Sequence, residues 1–191
     1  AGTQFGALCI KLDDGSVFIS YQGTDQSIAG WKEDFCLSFE LTQAQKMAAD
    51  YLQTVLEPGI SYRIGGHSKG GHLAEYAALR CPEDKQNQIK EVWCNDSPGL
   101  CRELFREASQ TEIQNKITRI IPAYSVIGTL FLYNDPDVIV DSTADGILQH
   151  NAFSWRIEGD RFVCCAQQDP RSLFLVETFD QWIESADMEH R

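Results

Sequence analysis

Basic residues, metal-binding spacings and long hydrophobic runs are what this sequence has least of. Against 28 Asp and Glu stand only 16 Lys and Arg, a formal net charge of −12, and the basic residues are scattered singly. Such a surface repels phosphate backbones and anionic membranes, so neither nucleic acid nor stable membrane insertion is expected. The longest uncharged stretch, Ile120 to Asn134, is too short for a bilayer span and contains Pro122, Tyr124 and Ser125. Ala1–Leu12 lacks the basic start and apolar run of a signal peptide. No C-x-x-C occurs, and His67 and His72 stand five apart, which splits them across a helix, so no metal and no cofactor are expected. The 7 cysteines are an odd number without the dense spacing of a secreted disulfide scaffold. They read as reduced thiols, mostly small core residues, of a cytoplasmic protein.

What is present is a globular composition: 191 residues, 43% hydrophobic and 23% charged, enough for one domain over residues 1–191 with its own core. Ala7–Leu12 and Val17–Tyr21 flank the turn Asp13-Asp14-Gly15-Ser16, a hairpin signal. Leu41 to Leu56 has helical spacing, with Ala44, Met47, Ala48, Tyr51, Leu52 and Val55 on one face, and Pro58-Gly59 stops it. From Ile60 the chain alternates. Ile60–Ile64, Ile89–Cys94, Ile117–Ile121 and Val138–Val140 read as strands; Lys69–Arg80, Leu100–Ala108 and Thr111–Asn115 read as helical. Such alternation implies parallel strands joined by crossovers, an α/β sandwich. Phe153–Ile157 and Arg161–Cys165 form a second hairpin, with Cys164-Cys165 as an edge-strand pair, and Phe174–Ile183 a closing helix.

The chemistry-bearing segment is Gly66-His67-Ser68-Lys69-Gly70, a G-x-S-x-G between a strand and a helix, with Gly65 and Gly71 outside it. A serine placed there sits on a turn so tight that residues two away must lack side chains, and its hydroxyl projects above the sheet. The same turn aims the Lys69 backbone N–H, at a helix N-terminus, toward an oxygen that becomes negative during acyl transfer. A phosphate loop is excluded, because it needs Gly-Lys-Ser/Thr.

A serine nucleophile needs a base, and there are 4 histidines. His67 lies inside the elbow pointing away from Ser68, His72 in the packed start of the helix, and His190 one residue from the end. His150 follows the later strands in a loop, where a hydrolase of this type carries its base. The orienting acid lies between Ser68 and His150 at the carboxyl end of a strand. Asp96 fits best, after Ile89–Cys94, although it can instead cap its own turn. Asp135, Asp137, Asp141 and Asp145 are nearer His150 in sequence. A second oxyanion donor is Thr24, after Phe18–Gly23. Phe153 and Trp155, near His150, read as core.

These residues resemble a family. Ser20–Thr24 followed by Ser27–Phe35 is similar to the strand, oxyanion loop and W-x-x-D segment of class 3, fungal-type lipases, and Gly66–Ala74 to their elbow, G-H-S-x-G-G-x-L-A. The match looks closer still to a bacterial branch of that superfamily carrying R-G-T-D, G-W-K-E-D-F, G-H-S-K-G-G-N-L-A, N-D-x-P-G, S-x-x-G and Q-H-x-x-F-x-W. The counterparts here are Gln22–Asp25, Gly30–Phe35, Gly66–Ala74, Asn95–Gly99, Ser125–Gly128 and Gln149–Trp155. The resemblance spans Phe5 to Phe162. It implies an α/β-hydrolase-like fold truncated at the N-terminus, with Ser68 as nucleophile, His150 as base, and Thr24 and Lys69 as oxyanion donors. It also implies a departure: Ser125 stands where class 3 lipases place the triad aspartate, so either the acid comes from elsewhere, with Asp96 fitting best, or the triad is incomplete.

The expected activity is that of a serine esterase acting on a small ester or lipid. A second reading is a catalytically silent, lipase-like binding domain, motivated by Ser125. A third is a thioesterase, acyltransferase or peptidase on the same framework.

Overall fold

The computed structural model describes residues 3–23, 42–131, 134–175 and 178. Among them, six strands form one sheet in simple sequential order: β1 (Ala7–Lys11), β2 (Val17–Tyr21), β3 (Tyr62–His67), β4 (Ile89–Asn95), β5 (Ile117–Pro122) and β6 (Val138–Val140). β1 pairs antiparallel with β2 around the Asp13–Ser16 turn, and every pairing from β2 to β6 is parallel. The architecture is therefore the mixed α/β sandwich with a mostly parallel sheet that the alternation implies.

Helix α1 (Gln43–Val55) starts at a capping box: the Gln45 amide donates to Thr42 Oγ1, and the Thr42 amide donates to Gln45 Oε1 at 2.7 Å. Its buried stripe is Ala44, Gln45, Ala48, Ala49 and Leu52, whereas Met47 is exposed. The stripe is thus rotated from the expected one toward small residues, which let α1 lie close to its neighbour.

That neighbour, α2 (Lys69–Leu79), has all its residues buried. It packs with α1, β2, β3 and β4 around Ile19, Leu52, Ile64, Leu73, Ala77 and Val92. On another side Leu79 meets Leu100 and Ala108, the last belonging to α4 (Arg102–Ala108); α3 (Glu83–Gln86) is a single turn between them. A helix enclosed on all sides must partner its polar groups. Glu75 does so through one oxygen: Oε2 accepts from the Arg119 guanidinium of β5 at 2.5 Å with both side chains buried. Burial pushes the Glu75 carboxyl upward in pKa and the Arg119 charge opposes that shift.

His72 is held more completely. Gln45 Oε1 is occupied by the Thr42 amide, so Gln45 Nε2 donates to His72 Nε2 at 2.9 Å, and His72 Nδ1–H donates to the Gly99 carbonyl at 2.9 Å. This fixes a neutral imidazole. Burial lowers its pKa to about 4.

After β6 the chain makes a 3-10 turn at Gly146–His150 and a short hairpin of β7 (Ile157–Glu158) and β8 (Arg161–Phe162). The hairpin's ladder is shorter than expected because its flanks bond to the sheet edge instead, Trp155 opposite Ser142 and Cys164 opposite Val140. A helical turn at 170–175 follows; the remainder of the expected closing helix lies mostly outside the described residues. No helix among the described residues is long and apolar enough to cross a membrane. Cys81 and Cys94 are buried, but Cys9 and Cys164 are exposed, which corrects the expectation of mostly core thiols.

Candidate active site

Ser68 joins β3 to α2 with φ 57 and ψ −131, a backbone conformation that side chains other than glycine's rarely adopt. The surroundings enforce it. A Cβ on Gly66 would lie 2.5 Å from the Gly70 carbonyl carbon and 2.6 Å from the Tyr21 carbonyl oxygen, and one on Gly70 would collide with that same oxygen. Strand and helix therefore approach to backbone contact, and the Ser68 side chain is turned out at the carboxyl end of the sheet, half-buried. Lys69 opens α2, so its amide lies ahead of the i→i−4 ladder; its side chain is buried.

His150 comes from the far side of the sheet, at the end of the 3-10 turn that follows β6. Its Nε2 accepts from the Ser68 hydroxyl at 3.1 Å, and its Nδ1–H donates to Asp96 Oδ2 at 2.6 Å. Asp96 follows β4 immediately, at φ 42. β3 and β4 are in register through His67 and Asn95, so Ser68 and Asp96 emerge side by side. The ladder continues through both, with the Ser68 amide donating to Asn95 at 3.0 Å and the Asp96 amide to Ile120 at 2.7 Å.

The Asp96 carboxylate is buried, and both its oxygens are engaged. Oδ1 accepts from the Ser125 hydroxyl at 2.5 Å and from the Gly128 amide at 3.1 Å. The S-x-x-G segment is thus the cradle of this carboxylate, and Ser125 touches the acid rather than the imidazole. The other aspartates are occupied elsewhere or open to solvent. Asp137 accepts from the Arg119 amide, Asp141 pairs with Arg156, Asp145 with Arg171, and Asp135 is exposed.

The segment around His150 is held largely by polar bonds. Gln149 Oε1 accepts from the Tyr124 amide at 2.9 Å, the Gln149 carbonyl from Trp155 Nε1–H at 2.9 Å, and the His150 carbonyl from His67 Nε2–H at 2.7 Å. Trp155 is in the core with Ile120 and Val140. Phe153 is not; it is 100% exposed, and Ile147 and Leu148, which also flank His150 in sequence, are exposed too. His67 points to His150: its ring lies 4.5 Å from that of His150, and burial together with a His150 charge lowers its pKa. Nothing in local spacing marks a reach across 83 positions.

Thr24 lies outside the described residues; Gly23, just before it, sits against the His67 carbonyl and the Ser68 side chain. Among the described residues no three His, Cys, Asp or Glu converge as a metal site requires.

A mostly parallel sheet, a strand–serine–helix elbow and polar residues gathered at the carboxyl ends of the strands define an α/β-hydrolase-like protein. More narrowly, the chain belongs to the Mbeg1-like family, whose model matches residues 1–191. No curated protein sequence matches it. Two solved structures are similar in shape. One is a fungal lipase–inhibitor complex described as a model for interfacial activation in lipases, at 14% identity, TM-score 0.48, covering 72% of this chain and 61% of that one. The other is a Rhizomucor miehei lipase propeptide complex, at 17% identity, TM-score 0.49, covering 73% and 53%. The chain thus matches less than two thirds of the length of either.

Proposed function

We propose that this protein is a serine hydrolase that cleaves carboxylic esters through an acyl-enzyme on Ser68. The observation that carries the reading is the unbroken line from the Ser68 hydroxyl through the His150 ring to the buried Asp96 carboxylate, at 3.1 and 2.6 Å. In this reading Ser68 Oγ attacks the ester carbonyl while His150 Nε2 takes its proton. His150 then returns the proton to the leaving alcohol. Asp96 holds the Nδ1–H tautomer and offsets the imidazolium charge. The Lys69 amide and Thr24 receive the negative oxygen of the tetrahedral intermediate. Water repeats the sequence on the acyl-enzyme and releases the acid.

An ester with an apolar portion suits the exposed apolar side chains Ile147, Leu148 and Phe153 that flank His150 in sequence. The Asp96 carboxylate at His150 Nδ1 supports this reading over that of a silent binding domain. A cytoplasmic, reducing setting belongs to the same proposal, supported by six unpaired cysteines among the described residues.

The test is labelling with a fluorophosphonate probe followed by peptide mapping. An adduct on Ser68 that Ser68→Ala removes supports the reading. Folded protein without an adduct, and without turnover of p-nitrophenyl butyrate, refutes it.

A further inference from the structure

His67 adjoins the nucleophile in sequence but spends its side chain on the base. Three hydrogen bonds pin the Gln149-His150 pair, from Tyr124, Trp155 and His67. They carry unusual weight, because Ile147, Leu148 and Phe153 point into solvent and contribute little packing there. The Tyr124 and Trp155 bonds fix Gln149. Of these three, only the His67 bond reaches His150, at its main-chain carbonyl, and it comes from the same elbow that presents Ser68.

We propose that His67 is a positioning residue for the base, its Nε2–H clamping the His150 main chain so that the imidazole stays in line between Ser68 and Asp96. The inference rests on the proposed hydrolase reading for its kinetic consequence, though not for its structural one. The bond requires the proton on Nε2, since a carbonyl oxygen only accepts. The groups that face His67 are the His150 ring, the Asp96 carboxylate and, edge-on at 6.5 Å between centroids, Trp155. Burial and the neighbouring imidazole lower the His67 pKa, which favours the neutral ring that this hydrogen bond uses. Because the clamp acts on the main chain next to the base, its loss would tilt the imidazole without emptying the site, and small misplacements of a reacting group are costly in rate.

Two variants separate the hydrogen bond from the packing of the ring. His67→Phe keeps an aromatic against His150 and Trp155 but has no donor; His67→Gln loses the ring and keeps an N–H at the same reach. The expected result is a kcat for p-nitrophenyl butyrate lowered about 10²-fold in His67→Phe, with KM little changed, and largely restored in His67→Gln. The opposite order, or equal impairment of both with unchanged thermal midpoints, overturns the proposal. A second readout is independent of turnover: the far-downfield proton resonance of His150 Nδ1–H bound to Asp96. It should be sharp in the wild type and in His67→Gln, and broadened by exchange in His67→Phe. If the wild type proves inactive, the hydrolase reading fails while this resonance still decides the clamp; an identical signal in all three proteins rejects it.

Discussion

The Ser125 hydroxyl and the Asp96 carboxylate meet at 2.5 Å with both side chains sealed from solvent. A carboxylate buried so deeply needs donors for the oxygen that does not face the histidine. Ser125 and the Gly128 amide supply them. The segment Ser125–Gly128, after β5, thus holds the carboxylate that follows β4.

That division of labour predicts unequal losses. Asp96→Asn keeps the shape but removes the charge that offsets the imidazolium, and should lower kcat/KM by roughly 10⁴-fold. Ser125→Ala removes one of two donors to Oδ1 and should cost about tenfold, the worth of one charge-assisted hydrogen bond near 1.5 kcal/mol. Asp135→Asn, on an exposed side chain, should match the wild type. Steady-state hydrolysis of p-nitrophenyl butyrate by the three variants checks the order; an active Asp96→Asn would remove Asp96 from the mechanism.

The strained φ of Ser68 sets stability against activity. Ser68→Gly should abolish turnover and yet raise unfolding free energy by about 1 kcal/mol, since glycine adopts φ 57 without the steric cost. Urea denaturation of the two proteins measures it. A Ser68→Gly variant less stable than the wild type would show that the elbow is not strained.

His72 makes acid a destabilising condition. Its pKa falls from 6.5 unfolded to about 4 in the buried site, so between those values the unfolded chain binds the extra proton. The His72 contribution is complete above pH 6.5 and is lost as pH falls toward 4, about 3 kcal/mol in all. His67, also lowered, acts in the same direction. Denaturant midpoints from pH 7 to 5 should fall steadily in the wild type and less steeply in His72→Gln. Equal slopes would rule out His72 as a source.

How much of this is legible in the sequence follows from which forces act locally. The elbow was legible because steric exclusion at Gly66 and Gly70 is a property of a few adjacent residues. Asp96 was legible as a strand-end carboxylate, although choosing it over turn-capping required the position of His150. The cradle role of Ser125 was not, since nothing local ties it to a carboxylate 29 residues earlier. Phe153 was misplaced because hydrophobicity alone suggests burial, while its neighbours Asn151 and Ser154 form a tight 3-10 turn that turns it outward. Met47 failed for a related reason: packing of α1 on a fully buried helix selected the small residues Gln45 could flank, rather than the largest apolar ones.

The ladder bonds that run through Ser68 and Asp96 have a consequence on heating. Two of the three groups are continuous with the central sheet and share its fate, whereas His150 hangs on a short turn with its apolar side chains in solvent. A partial opening confined to residues 146–154 detaches His150 and leaves the sheet intact. Function and shape should then part company: warming would silence the protein reversibly at temperatures where its circular dichroism is still that of the native state.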